Sequence, residues 1–246
     1  MPINALLFDL DQTLGRDRDS YLISLERIMP VCRQRHPELS ADTFRETFIR
    51  INNWHWEHYD DSPIRSMIDP AEVRFHIFGE IFSAFHLLLE PDFLRAIAKE
   101  FQKARVETYR CYDEALGVLE TLHGRIPLAI VTNGNTIMQK QKIKACGLEP
   151  YLSAVFIAQE AGISKPAPEI FLKALAAVNA KPHEAMMVGD NPEKDILGAK
   201  AAGIKTAWIP RRNGYADPQP DYRLTNLKDL LPIVEKENGR IPSLST

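Results

Sequence analysis

Cysteine is scarce in this chain. Cys32, Cys111 and Cys146 are the three it has in 246 residues, far apart and without a C-x-x-C pair. That argues against a disulfide framework and a thiolate zinc cluster, and it fits a reducing compartment. Long hydrophobic runs are missing as well. The first apolar run, Ala5-Leu6-Leu7-Phe8, stops at Asp9; it is too short for a secretory signal or a membrane span, and no basic region precedes it. Neither sign of charge dominates, with 30 Lys and Arg against 33 Asp and Glu and a net charge of −3. Such a balance gives no electrostatic reason to expect nucleic acid or a membrane surface as partner. No internal repeat is present. What remains is an ordinary globular composition, 45% hydrophobic and 26% charged, long enough for one generous domain or two modest ones. The expectation is a cytoplasmic protein.

Four apolar, partly β-branched runs end in polar turn residues, at 3–8, 127–131, 185–188 and 205–209, and a weaker one covers 154–158. Short continuous apolar runs separated by helical patterns predict buried parallel strands in βα units, hence an α/β fold. Phe171, Ala174, Leu175 and Val178 recur at i, i+3, i+4, i+7 and give one helix its apolar face. Asn191 and Pro192 predict an N-cap and N1 pair, and Gly203 can end that helix in the left-handed conformation.

Between Leu14 and Thr108 the pattern changes to helices alone. Leu22, Leu25, Met29 and Cys32 form one stripe, and Asp69-Pro70-Ala71-Glu72 reads as a helix start. Twelve of the 21 aromatic residues lie in this insert, which predicts a core of its own rather than a long loop. The expected division is a core of residues 1–14 and 109–238, and a helical domain of about four helices over 15–108. Hinges are expected at 15–17 and 106–110. The breaker-rich end, 239–246, is expected to be a loose tail.

Four short motifs sit in order where hydrophobic strands give way to turns. They are Asp9-Leu10-Asp11-Gln12-Thr13, Thr132-Asn133-Gly134, Lys165-Pro166 and Gly189-Asp190-Asn191, the last followed by Asp195. Carboxylates at i and i+2 leave an extended segment on the same side. Ligands of open parallel sheets bind beyond the carboxyl ends of the strands. Turns collect Asp, Asn, Gly and Thr for structural reasons too. That explains one motif or two, but not five suitable side chains at successive strand ends.

The ordered set resembles the haloacid dehalogenase superfamily of phosphohydrolases, in the branch with a large helical cap inserted just after the first motif. The resemblance runs from Asn4 to the neighbourhood of Ile209. It implies a Rossmann-like parallel-sheet core, an all-helical cap domain, an aspartyl-phosphate intermediate and Mg²⁺. Gln12 stands where many members have Gly or Asp, and Asn191 where Ser or Thr is frequent; both positions vary within the family.

On this reading Asp9 is the nucleophile, and Asp11 has the position of a general acid and base. Family geometry has Asp11 meet the metal through its backbone carbonyl. Asp9 and Asp190 supply carboxylates of the kind Mg²⁺ prefers. Asp195 either reaches the metal through water or holds Lys165, with Asn191 supporting. Thr132 and the amides of Asn133 and Gly134 can cradle phosphate oxygens, and Lys165 is a point charge for the same group. Thr13 is expected to stabilise the turn. In the insert, Trp54 and His58 share one helical face and His55 and Tyr59 another; stacking rings suit substrate recognition, although core packing explains them better. A zinc site from His55 and His58 would need further ligands that the local sequence does not offer.

The expected function is a phosphatase acting on a small phosphorylated metabolite, a sugar phosphate or nucleotide, as a monomer or homodimer. A phosphosugar mutase of the same family uses the same two aspartates and is the nearest alternative. Haloacid dehalogenases lack the second aspartate, so Asp11 counts against that reaction. A non-catalytic paralogue would be expected to have lost Asp9, Asp11 or Lys165.

Overall fold

The structure is a computed structural model that describes residues 2–87, 90–211 and 216–239. Six strands form one sheet: β1 (Ala5–Phe8), β2 (Leu128–Thr132), β3 (Ala154–Ile157), β4 (Ala185–Gly189), β5 (Lys205–Trp208) and β6 (Tyr222–Arg223). Their order is β3-β2-β1-β4-β5-β6, and every neighbouring pair is parallel. The ten α-helices among the described residues are α1 (Asp17–Arg35), α2 (Ala41–Glu57), α3 (Pro70–Ala84), α4 (Pro91–Thr108), α5 (Ala115–Leu122), α6 (Thr136–Ala145), α7 (Ala158–Ala161), α8 (Pro168–Ala177), α9 (Gly198–Ala201) and α10 (Leu230–Asn238).

The predicted parallel α/β core is present. β1, β2 and β4 are buried at every residue, as expected of central strands covered on both faces. The weaker run is β3, a half-buried edge strand, so its diluted pattern has a cause. Ile170, Phe171, Ala174 and Leu175 of α8 pack with Leu7, Val131 and Met187 of the sheet. The two-residue β6 carries no run long enough to announce itself in sequence. From β1 the chain moves outward through β2 and β3, then returns to the other side of β1 with β4. The ends of β1, β2 and β4 therefore flank the point where strand order reverses, the usual ligand crevice of such sheets.

The chain divides into two compact units. One comprises Met1–Arg16, Cys111–Asn133 and Cys146–Thr246; the other comprises Asp17–Arg110 and Gly134–Ala145. The second unit thus takes in α6, which lies within the 109–238 that the sequence reading gave to the core. Side chains explain the assignment: Asn135 donates to the carbonyls of Met67 and Ile68 at 2.8 and 2.9 Å, and Lys142 reaches Asp17 at 2.8 Å. Of the tail expected at 239–246, residues beyond Gly239 lie outside the described ones.

The second unit has a hydrophobic cluster rich in aromatic residues. Phe44, Phe48, Phe78, Phe82 and Phe101 are fully buried, with ring centroids 5.2 Å apart for Phe78 and Phe101 and 5.3 Å for Phe48 and Phe101. Leu25, Met29 and Cys32 of the predicted stripe face this core from α1. Asp69 caps α3 as its sequence suggested, its carboxylate accepting from the Ala71 amide at 2.8 Å, with Pro70 at the first helical position.

Candidate active site

Asp9 follows β1 directly and is 6% exposed. Its amide donates to the Val188 carbonyl at 2.9 Å, so the strand ladder itself fixes its position. The chain then folds tightly: the amides of Leu14 and Gly15 both donate to the Leu10 carbonyl, and Gln12 donates to Gly15. Gln12 pays for this turn with φ at 64°, the left-handed region. That is the physical sense of a position where Gly or Asp serves easily. Asp11 is half-buried two residues beyond Asp9. Thr13 does more than support the turn. Its buried hydroxyl favours the charged form of Asp9, although it completes no well-formed hydrogen bond to protein.

Lys165 is the hub of the site. Its Nζ donates to Asp9 Oδ1 at 2.7 Å and to Asp195 Oδ1 at 2.6 Å, and all three side chains are buried. The lysine backbone is clamped by Asn133, whose Nδ2 donates to the Lys165 carbonyl at 2.9 Å and whose Oδ1 accepts from the Lys165 amide at 2.8 Å. Sequence reasoning gave Asn133 a phosphate-facing amide; it missed this side-chain role. Thr132, buried at the end of β2, directs its hydroxyl to the Asn133 carbonyl at 3.2 Å.

Asp190 and Asp195 arrive through β4. Asn191 caps the following helix, its Oδ1 accepting from the amides of Glu193 and Lys194 at 3.0 and 2.8 Å. That helix begins as a widened π-turn over Pro192–Leu197, and Asp195 Oδ2 accepts from the Asn191 amide at 2.9 Å. The arrangement requires Gly189: a Cβ there would lie 2.4 Å from the Asp195 Cβ. Two further residues escaped the sequence reading. A Cβ on Gly198 would lie 2.8 Å from the Pro166 carbonyl oxygen, so this glycine admits the lysine loop. Trp208 holds the Asp190 carbonyl through its Nε1 at 2.8 Å. A glycine inside a helical pattern was a readable signal; the tryptophan gave none.

The electrostatics follow from burial and an imbalance of charge. Burial pushes the Asp9 carboxyl up to about 6, against the pull of Lys165 and with the help of Asp195. Burial alone would lower the Lys165 ammonium, but Asp195 and Asp9 hold it above its ordinary value. One oxygen each from Asp9, Asp190 and Asp195 lie within 4.8 Å of one another. A hard oxygen set of this kind suits Mg²⁺.

The residues of the helical insert are placed differently. Trp54 is 49% exposed and stacks on the exposed His58 ring at a centroid distance of 5.1 Å. His55 and Tyr59 are buried, and Tyr59 stacks on Trp56 rather than pairing with His55. Burial sets these two rings apart from the exposed pair Trp54 and His58. Their helical spacing alone could not reveal which face was covered.

Comparison with known proteins agrees with the geometry. Residues 3–203 match the family described as haloacid dehalogenase-like hydrolase. The human N-acylneuraminate-9-phosphatase is 30% identical over 263 residues, covering 99% of this chain and 98% of that protein. The phosphoserine phosphatase of Thermus thermophilus is 39% identical over 143 residues, so the match spans 57% of that relative's length. Among solved structures, the hydrolase YfnB from Bacillus subtilis bound to magnesium superposes with a TM-score of 0.76 at 21% identity, covering 95% of this chain and 99% of that one. Motif order, sheet topology and the buried aspartate–lysine cluster lead to the same place: this chain belongs to the haloacid dehalogenase-like hydrolases.

Proposed function

We propose that the protein is a Mg²⁺-dependent phosphatase of small-molecule phosphate monoesters, a sugar phosphate or a nucleotide, working through an aspartyl-phosphate. The observation that carries this reading is Lys165 bonded at once to Asp9 and Asp195, with Asp190 in the same carboxylate group. Asp9 attacks phosphorus through a carboxylate oxygen while the ester P–O bond breaks. Asp11 donates its proton to the leaving oxygen, then takes a proton from the water that attacks phosphorus and frees Asp9 and inorganic phosphate. Lys165, Thr132 and the amides of Asn133 and Gly134 hold the phosphoryl oxygens. Asp9, Asp190 and the Asp11 main-chain carbonyl would hold Mg²⁺, which neutralises phosphoryl charge when bound. An Asp9 carboxyl near 6 is ionised at neutral pH, as a nucleophile must be.

The substrate class draws on the relatives, whose names include an acylneuraminate phosphatase and a phosphoserine phosphatase. We place the activity in the cytoplasm, in keeping with three free cysteines; among the described residues no helix is long and apolar enough to cross a membrane. The test is phosphate release from an aryl phosphate with and without Mg²⁺, followed by a panel of metabolite phosphates. Asp11→Asn should slow turnover of a substrate with a poor leaving group by roughly 10²–10⁴-fold, the usual scale of general acid–base help. An isomerised sugar phosphate without phosphate release would establish the mutase instead. A phosphopeptide with the highest kcat/KM would overturn the small-molecule class.

A further inference from the structure

The helical unit contains a second group of potential metal ligands. His55 on α2 meets His76 and Glu80, which stand at i and i+4 on α3. One ligand atom from each lies within 4.8 Å of the others. His55 Nε2 is 3.2 Å from Glu80 Oε2, and His76 Nε2 is 3.1 Å from Glu80 Oε1. Yet both Nε2 atoms are buried without a hydrogen-bond partner, because these approaches lack hydrogen-bond geometry. His55 is 1% exposed, so its unsatisfied nitrogen has no route to bulk water as compensation.

The spacing has a simple meaning. Metal–nitrogen and metal–oxygen bonds of about 2.0–2.1 Å at the tetrahedral angle separate ligand atoms by about 3.3 Å. The approaches of His55 and His76 to Glu80 have about that length, each to a different oxygen of the carboxylate. The far side of His55 is fixed as a ligand's should be, with Nδ1 2.7 Å from the Ser62 hydroxyl, whose oxygen also accepts from the Ile64 amide. His58, the partner that sequence spacing offered, is turned away and contacts the Trp54 carbonyl through Nδ1 at 2.9 Å.

We propose that His55, His76 and Glu80 bind one divalent transition-metal ion of the zinc class, with water at the remaining position, joining α2 to α3. Two imidazoles and a carboxylate are a set that such ions favour over Mg²⁺. Glu80 and His76 are partly exposed and provide the entry path.

The experiment titrates metal-free full-length protein with Co²⁺ in excess Mg²⁺, which keeps the aspartate cluster occupied, and reads the visible absorption of the bound ion; Zn²⁺ then competes. The expected result is one equivalent with a low-coordinate Co²⁺ spectrum that Zn²⁺ abolishes. His76→Gln and Glu80→Gln, at partly exposed positions where folding is least at risk, should each weaken binding by more than about 100-fold, since losing even an outer partner of a ligand costs about 10–100-fold. No spectral change in the wild type would overturn the proposal and leave the three residues as an ion-pair network. Equal affinity in wild type and both variants would overturn it equally, by placing the ion elsewhere.

Discussion

Each unit of the molecule holds a three-charge cluster, and the two are mirror images in sign. In the sheet unit one ammonium, Lys165, serves two carboxylates, Asp9 and Asp195. In the helical unit one carboxylate, Asp17, serves two cations: the Arg105 guanidinium and Lys142, whose Nζ is 2.8 Å away. Burial would raise both aspartates. In the helical unit the two cations win, and Asp17 is held well below the usual carboxylate range. In the sheet unit the single ammonium of Lys165 is outweighed by burial and by Asp195, and Asp9 rises to about 6. The same kinds of side chain therefore do opposite things. A carboxylate outnumbered by cations ties helices α1, α4 and α6 together. Carboxylates that outnumber their cation would, on the proposed function, hold charge in reserve for a ligand.

The contrast breaks most sharply at Asp9. Asp9→Asn should lower phosphate release by roughly 10⁴-fold or more, the scale of losing an essential nucleophile. It should also raise the Tm of metal-free protein at neutral pH. The folded carboxyl lies about 2 pH units above its ordinary value, so its ionised form costs the folded state about 3 kcal/mol. That cost is felt in full above about pH 6 and vanishes below about pH 4, so the Tm difference between mutant and wild type should shrink on acidification. A mutant less stable than wild type at pH 8 would show that Asp9 is a structural group like Asp17.

Asp17→Asn should do the reverse. Leaving the buried Arg105 and Lys142 facing a neutral amide should destabilise the helical unit, by less than the ~3–5 kcal/mol of breaking a fully buried ion pair because Asp17 is partly exposed, as read by thermal unfolding. Because the folded pKa of Asp17 is depressed, its contribution is fully present above about pH 4 and is lost as pH falls below that. The mutant and wild-type Tm values should therefore converge in acid, now from a destabilised mutant. The smallest effect belongs to Gln12. Gln12→Gly relieves a left-handed conformation and frees the unfolded chain, so the net change in stability should stay within about 1 kcal/mol, with activity kept. A large loss of activity would give the Gln12 side chain a part in the chemistry.

The sheet cluster was largely legible in the sequence and the helical one was not. Asp9, Thr132 and Asp190 each stand at the end of a buried parallel strand, and a sheet of this order gathers strand ends at one place. Position along the chain was thus enough to place them. Asp17, Arg105 and Lys142 meet through helix packing, which depends on which faces touch, and periodicity does not specify that. The same reason hid His76 and Glu80 from His55. It also hid the widened turn at Pro192–Leu197, where Asn191 accepts from the amides of both Asp195 and Ile196 and so brings Asp195 to Lys165.

The antiparallel bridge between Gly15 and Cys111, with the Tyr112 amide donating to the Leu14 carbonyl at 2.9 Å, bears on how the chain finds its fold. Asp9 precedes its ammonium partner by 156 residues, a long wait for a growing polypeptide. Within the intervening unit, Thr108 already reaches back to Ser20, so α1 leaves and α4 returns at neighbouring points. Once these helices have packed on one another, the sheet experiences their whole length as little more than a hairpin. Closing a short connection instead of one of some ninety residues spares about 3 kcal/mol of chain entropy. The inserted helices would then act as a chaperone carried in the chain itself, bringing the first strand and its aspartate to the later strands.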